Sequence, residues 1–301
     1  MNPTLKKMLW PLVMLRRSYD NYLKRNNPEK LFSIYHKRST GKYLNIDNPV
    51  TLDDKIAYME FRTDTSEWSR LADKVRVRDY VEECGFGDYM TKLYGVWENA
   101  DEIDFSMLPS SFVIKTNNAS ATNILIKDKS SMDEVSVRKQ LNEWLKIDYG
   151  YNTAQPHYSN MKPLILAEEF LVDEDTAKAG KVLKDFKFYC VNGEPRYVIV
   201  YSDRETNSHR MKRSIYDMDW VLHQEYLGKF AVAGSEVKKP VSFELMKKMA
   251  SRLSNPFKFV RIDFYEINGT PIFGEMTFTP GMQETSNEFA EILGKFICIN
   301  N

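Results

Sequence analysis

Four side chains near the C-terminal end could do chemistry together: Arg261, Asp263, Glu275 and Thr277. They alternate with Val260, Ile262, Phe264, Ile272, Met276 and Phe278, which are all apolar. A strand turns successive side chains to opposite faces, so two strands of this pattern segregate a polar face from an apolar one. Two carboxylates, a guanidinium and a hydroxyl on one face suit a divalent cation and a phosphate. Hard oxygen ligands favour Mg²⁺, which keeps waters and substrate phosphates in its shell. The alternative is a surface cross-strand ion network worth under about 1 kcal/mol. Asn268-Gly269 between the strands is a strong hairpin signal. A two-residue loop there would pair Asp263 with Gly274 and send the two acids to opposite faces. The pattern therefore predicts an odd-length loop, such as three residues with Gly269 left-handed.

Lys115 ends the apolar run Phe112-Val113-Ile114, and a polar loop at 116–123 follows it with Ser120 and Thr122. A lysine with a loop of small polar residues can grip phosphate oxygens through backbone N–H groups and hydroxyls; a strand-end surface lysine is the competing reading. No P-loop occurs and no G-x-G-x-x-G follows a strand, which disfavours those nucleotide sites. Glu168 and Glu169 close the apolar strand Pro163-Leu164-Ile165-Leu166-Ala167, with Asp173, Glu174 and Asp175 just beyond. Such acceptors could take the adenine amine and ribose hydroxyls, although charged loops after strands are ordinary. Lys187 stands between Phe186 and Phe188, and a cation buried there needs an anion. Arg204, His209 and Arg210 are candidates to pair with a substrate carboxylate. His209 and His157 otherwise read as solvated. Asp217-Met218-Asp219 spells the D-x-D of nucleotide-sugar enzymes, but beside Trp220 it reads more simply as an exposed turn.

The elements that must position these groups are mixed, and the fold class is α+β. Residues 18–85 read as helices: one capped by Thr51, another opening at Ser66 whose charged residues Asp73, Lys74, Arg76 and Arg78 read as solvated. Strands begin near 112, and a helix with Val135, Val137, Leu141, Trp144 and Leu145 inward follows. A hairpin turns at Asn192-Gly193, the segment 202–240 looks loop-rich, and Ser242 caps a helix that places Leu245, Met249 and Leu253 inward. In 301 residues, 42 Lys+Arg balance 42 Asp+Glu, so a nucleic-acid partner gets no electrostatic support. Cys84, Cys190 and Cys298 show no metal spacing and read as reduced cytosolic thiols. No stretch reaches the roughly 20 apolar residues of a membrane span. Residues 1–17 nevertheless set an apolar block between Lys6-Lys7 and Arg16-Arg17, which suits either a membrane surface or docking on the protein's own core.

In chain order these pieces resemble the ATP-grasp superfamily, and most closely its TupA-like branch of polysaccharide biosynthesis. The matching stretches span roughly 45–285: Leu71-Ala72-Asp73-Lys74, Phe112-Val113-Ile114-Lys115, Ala167-Glu168-Glu169-Phe170-Leu171, Asp185-Phe186-Lys187-Phe188 through Asn192-Gly193, Tyr216-Asp217-Met218-Asp219-Trp220, and Val260 to Asp263 through Gly274 to Gly281. The resemblance implies two α+β subdomains whose antiparallel sheets hold ATP. Their expected limits are 111–172 and 173–290, after an N-terminal helical segment (1–45) and a helical subdomain (46–110), and before a tail (291–301). Lys115 and Lys187 would contact phosphates, with Ser120 and Thr122 over them. Glu168, Glu169, Phe170 and Leu171 would hold adenine and Asp175 the ribose. Asp263, Glu275 and Thr277 would hold Mg²⁺, and Arg261 would steady the transferred phosphoryl group. Two departures stand out: Thr277 replaces the usual asparagine ligand, and the loop 116–123 has no glycine. The implied activity is a cytoplasmic carboxylate–amine ligase working through an acyl-phosphate. Its acceptor would be a uronic acid (free, nucleotide-linked or lipid-linked), and the amine an amino acid. A phosphotransferase on a sugar hydroxyl, a glycosyltransferase, and a binding-only descendant without catalysis, suggested by the glycine-free loop, are the alternatives.

Overall fold

The computed structural model describes residues 3–173, 183–202, 211–281 and 284–299. Five helices lead: α1 (Pro3–Asn26), α2 (Pro28–Thr40), α3 (Leu52–Arg62), α4 (Ser66–Leu71) and α5 (Val77–Glu83). The start of α3 is a reciprocal cap. Thr51 Oγ1 accepts from the Asp54 N–H, and the Asp54 carboxylate accepts from the Thr51 N–H at 3.0 Å. The helix expected from Ser66 is broken in two, because the Asp73 carboxylate accepts from the N–H groups of Val75 and Arg76 and folds a turn there.

Two sheets follow. The smaller has the order β1-β4-β2-β3, from Leu93–Trp97, Ile165–Glu169, Phe112–Thr116 and Asn123–Ile126, all antiparallel. Its first strand lies in the stretch expected as a helical subdomain (46–110). The helix Glu134–Trp144 covers this sheet with Val137 and Leu141. Val135, assigned to the same stripe, is 78% exposed, since positions two apart on a helix, as Val135 and Val137 are, point about 200° from each other. The larger sheet has the order β10-β9-β5-β6-β7-β8, with β5 Asp185–Val191, β6 Glu194–Ser202, β7 Lys212–Asp217, β8 Val232–Ala233, β9 Phe259–Ile267 and β10 Thr270–Thr277. β7 thus runs through a segment that reads as loop. The helix Phe243–Ser254 buries Met246, Met249 and Leu253 beside this sheet, while Leu245 is only half-buried. Ser242 does not cap that helix. Its hydroxyl and N–H both donate to the Glu266 carboxylate. The expected tail is the end of another helix, Asn287–Phe296, whose Leu293 is buried, as is Ile297 just beyond.

The hairpin of β9 and β10 reaches the expected pairing by a different route. Its loop is the two-residue turn Asn268-Gly269, with φ of 49° and 78° and Ile267 opposite Thr270. A bulge at Gly274 then shifts the register by one residue. Glu275 lies opposite Asp263 and Thr277 opposite Arg261.

Candidate active site

The strand pattern assembles a polar band across the larger sheet. Glu275 pairs with Asp263, Asp263 with Lys187, Asp185 with Tyr201, and Tyr201 with Arg213, so β10, β9, β5, β6 and β7 all contribute. Arg261 is the knot. Its Nε donates to Asp263 Oδ1 at 2.7 Å, and its Nη2 donates to Asp263 Oδ2, Glu275 Oε1 and Thr277 Oγ1 at 2.7, 2.9 and 3.1 Å. Thr277 Oγ1 donates to Glu275 Oε1 at 3.0 Å. Lys187 Nζ bonds Asp263 and, at 2.6 Å, Asp185 Oδ2. Buried Lys187 therefore has anions as partners, as its apolar flanks require.

Electrostatics split the two acids. Burial pushes the Asp263 carboxyl up to about 6 against the pull of Arg261 and Lys187. Burial also opposes ionisation of Glu275, but Arg261, Lys187 and Lys74 together bring it down to about 2. The Glu275 side chain is 40% exposed, so it is the acid of the pair that reaches solvent. Asp263 and Asp185 hold the Lys187 ammonium above its ordinary value, although burial and Arg261 act in the opposite direction.

The smaller sheet carries an ion cluster of its own. Lys115 on β2 pairs with Glu168 on β4, and Arg78 of α5 reaches the other oxygen of Glu168 at 3.3 Å. Glu168 is buried and doubly salt-bridged, whereas Glu169, one residue on, is exposed. Phe170 and Leu171 follow, both half-buried. In the loop, Asn117 and Asn118 are buried and hold Lys162, Leu164 and Ile147 backbone groups. Thr122 donates to Ala119 O at 3.3 Å and accepts from Thr116 Oγ1 at 2.9 Å. Ser120 is exposed, and Ala121 takes the left-handed φ of 59° in this glycine-free loop. Asp175, Arg204, His209 and Arg210 lie outside the described residues.

Two groups that bond the 116–123 loop, Lys74 and Tyr149, have no role assigned from sequence. Lys74 donates to Ala119 O at 3.0 Å and to Asn117 O at 3.5 Å. Burial lowers its pKa, while Glu275 opposes the shift and Lys115 reinforces it. Tyr149 hydrogen-bonds Ser120, and its ring meets Tyr158 edge-on at 5.1 Å. Of the four residues taken as solvated, Asp73 is buried and Lys74 and Arg78 are engaged; Arg76 alone is exposed. Lys74 was findable, because it closes one of the matching stretches. His157 is fully buried instead of solvated, with Nδ1 2.8 Å from Glu60 Oε2. Asp217 is spent on a turn, accepting from the Asp219 and Val221 N–H groups and facing His223 at 3.2 Å.

A cavity of about 350 Å³ opens next to this hairpin, lined by Phe32, Tyr35 and His36 of α2, by Gln155, and by Pro280 and Gly281. Pro280 is three residues past Thr277, a span of at most about 10 Å. Among the described residues no three His, Cys, Asp or Glu side chains form a metal cage, and no helix is long and apolar enough to cross a membrane.

Comparison with known proteins gives one family: TupA-like ATPgrasp matches residues 54–298. No curated protein matches significantly. Among solved structures the chain is similar to a D-alanine–D-alanine ligase from Bacillus anthracis (14% identity, 71% of this chain and 58% of that one, TM-score 0.44). It is also similar to an L-amino acid ligase from Bacillus licheniformis (11% identity, 72% and 44%, TM-score 0.45). A D-alanine–D-alanine ligase from Helicobacter pylori is similar too (13% identity, 84% and 68%, TM-score 0.44). The chain thus spans 58% and 44% of the first two ligases' own lengths.

Proposed function

Because the chain belongs to the TupA-like ATP-grasp family, we propose that it is an ATP-dependent carboxylate–amine ligase that works through an acyl-phosphate. The observation that carries this is the band of Lys187, Asp263, Arg261 and Glu275 knotted on the larger sheet, with Lys74 close enough to both Glu275 and Lys115 to feel their charges. A substrate carboxylate attacks the γ-phosphorus, ADP leaves, and an amine then displaces phosphate from the acyl carbon. The chain's task is positioning and neutralising charge.

The residues present fit Mg²⁺ and ATP. Magnesium needs only one or two carboxylates when phosphates complete its shell, and the partly exposed Glu275 beside Asp263 offers them. Buried Asp185 Oδ1 and Arg213 Nε have no hydrogen-bond partner among the described residues, which suits a polar ligand lying along the band. Bound there, the metal would neutralise phosphate charge. Lys187 and Arg261 would hold the transferred group, Lys115 and the Ser120 loop would cover the phosphates, and Lys74 would brace that loop.

The acceptor belongs, in this reading, in the cavity beside Pro280 and Gly281. Its volume lies at the lower end of ligand pockets, and two aromatic faces with amides and hydroxyls suit a sugar ring such as a uronic acid, the amine being an amino acid. The test is ADP and phosphate release from Mg²⁺-ATP with uronic acids crossed against amino acids. Turnover that requires both partners and leaves an amide supports the ligase. ADP with a phosphorylated sugar would replace it with a phosphotransferase. A glycosyltransferase is disfavoured, since the D-x-D carboxylate of Asp217 is committed to its turn.

A further inference from the structure

Through residue 19 the chain carries Lys6, Lys7, Arg16 and Arg17 and no acid, although its total charge is zero. All four cations lie on α1. Leu12, Leu15, Tyr19 and Tyr22 recur there at spacings of three and four, which puts them along one stripe of the helix. That stripe faces solvent, with Leu12 63%, Leu15 67%, Tyr19 44% and Tyr22 60% exposed, and Trp10 beside it is 57% exposed. Docking of this block onto the protein's own core, the alternative open at the level of sequence, therefore does not occur for these side chains. The helix is tied down toward its C-terminal end: Leu23 is buried against α2, Arg38 grips Asp20 with both nitrogens, and Lys24 and Arg25 bond Asn152 and Tyr151. Single exposed leucines are ordinary, but a run of large apolar and aromatic side chains along one stripe marks an interaction surface.

We propose that α1 docks the protein onto an anionic lipid surface, lying in the interfacial plane with this stripe inward. Charge selects the occupant. A second copy would set its own four cations against these, with Asp20 of α1 already held by Arg38, whereas anionic headgroups attract every one of the cations. Tryptophan and tyrosine favour the headgroup level, where an apolar ring and a polar tip are both satisfied. Attachment there would bring the ligand face to an acceptor at the membrane surface while the rest of the chain stays in water.

The test is co-sedimentation of the full chain with vesicles of phosphatidylcholine alone or mixed with phosphatidylglycerol. Sedimentation should be at least about tenfold stronger with the anionic vesicles and should weaken with salt. Both L12S/L15S and R16E/R17E should lower it about tenfold or more, with the thermal unfolding midpoint unchanged because neither pair packs on the core. No sedimentation with either vesicle, or equal sedimentation of wild type and R16E/R17E, would overturn the proposal. So would a wild-type dimer in light scattering that L12S/L15S converts to monomer, since the stripe would then belong to a second copy.

Discussion

Arg261, Asp263, Glu275, Thr277 and Lys187 stand out by alternation alone, because a strand with one buried face must sort its polar residues onto the other, whereas Lys115 taken alone reads as a strand-end surface lysine and is singled out only by the family resemblance. Alternation does not single out Lys74, Asp185 or Arg213, whose neighbours in space come from other elements; Lys74 and Asp185 are marked only by the stretches that match the family. Lys74 sits in a break between helices, where charge reads as solvation. Glu275→Gln keeps the shape but removes the anion that Arg261 and Lys187 stabilise. It should lower Mg²⁺-dependent ATP turnover about 100-fold and also lower the unfolding midpoint, because the folded state favours the ionised carboxylate; ADP release is therefore compared below that midpoint, with calorimetry as the check. Lys74→Met should leave kcat within about threefold and raise the KM for ATP about tenfold, because it frees the loop carbonyls of Ala119 and Asn117. Equal loss in kcat and kcat/KM would instead place Lys74 in the transition state.

At the scale of elements, the hairpin shows where sequence pattern is informative and where it is not. The pairing of Asp263 with Glu275 follows from the apolar face; the turn does not, because a two-residue loop plus a bulge and a three-residue loop give the same pairing. Gly274 is the residue that decides it. A Cβ there would come within 3.1 Å of the Asp263 carbonyl oxygen, so Gly274→Ala should lower stability by about 1–2 kcal/mol and disturb the spacing of the acids. Denaturant unfolding and ADP release check this together. The joint between α2 and α3 carries a pH dependence. His36 Nδ1 donates to Lys42 O at 2.6 Å, and its Nε2 faces Asp53 at 3.2 Å. Burial acts against the charged ring, but Asp53 raises its pKa above 6.5 on balance. A raised folded value means that this stability is fully present below about pH 6.5 and is lost as pH rises through the folded pKa. The unfolding midpoint should therefore fall across that interval in wild type, and less in His36→Gln.

For the whole molecule, the two sheets matter less singly than for what they oppose. The α+β class, the helical start and the antiparallel strands are legible because each element carries its own period. The placement of β1 in the smaller sheet and the strand Lys212–Asp217 are not: the first is only five residues long and carries Gly95, and the second is polar enough to read as a connection. The cavity between α2 and the end of the hairpin belongs to this scale as well, because distant segments build it. Tyr35→Ala with Gln155→Ala should raise the KM for the acceptor about tenfold while leaving the Kd of Mg²⁺-ATP unchanged; a matched loss of ATP affinity would remove the acceptor from that cavity. The central claim is that one polar band, closed by the lysine-bearing sheet, holds Mg²⁺-ATP. Calorimetric titration of ATP tests it most directly, with and without Mg²⁺, into wild type and Glu275→Gln. One ATP per chain, bound at least about tenfold more tightly with Mg²⁺ and losing that gain in Glu275→Gln, is the expected result. Binding that ignores both the metal and the substitution, or no binding at all, would contradict it.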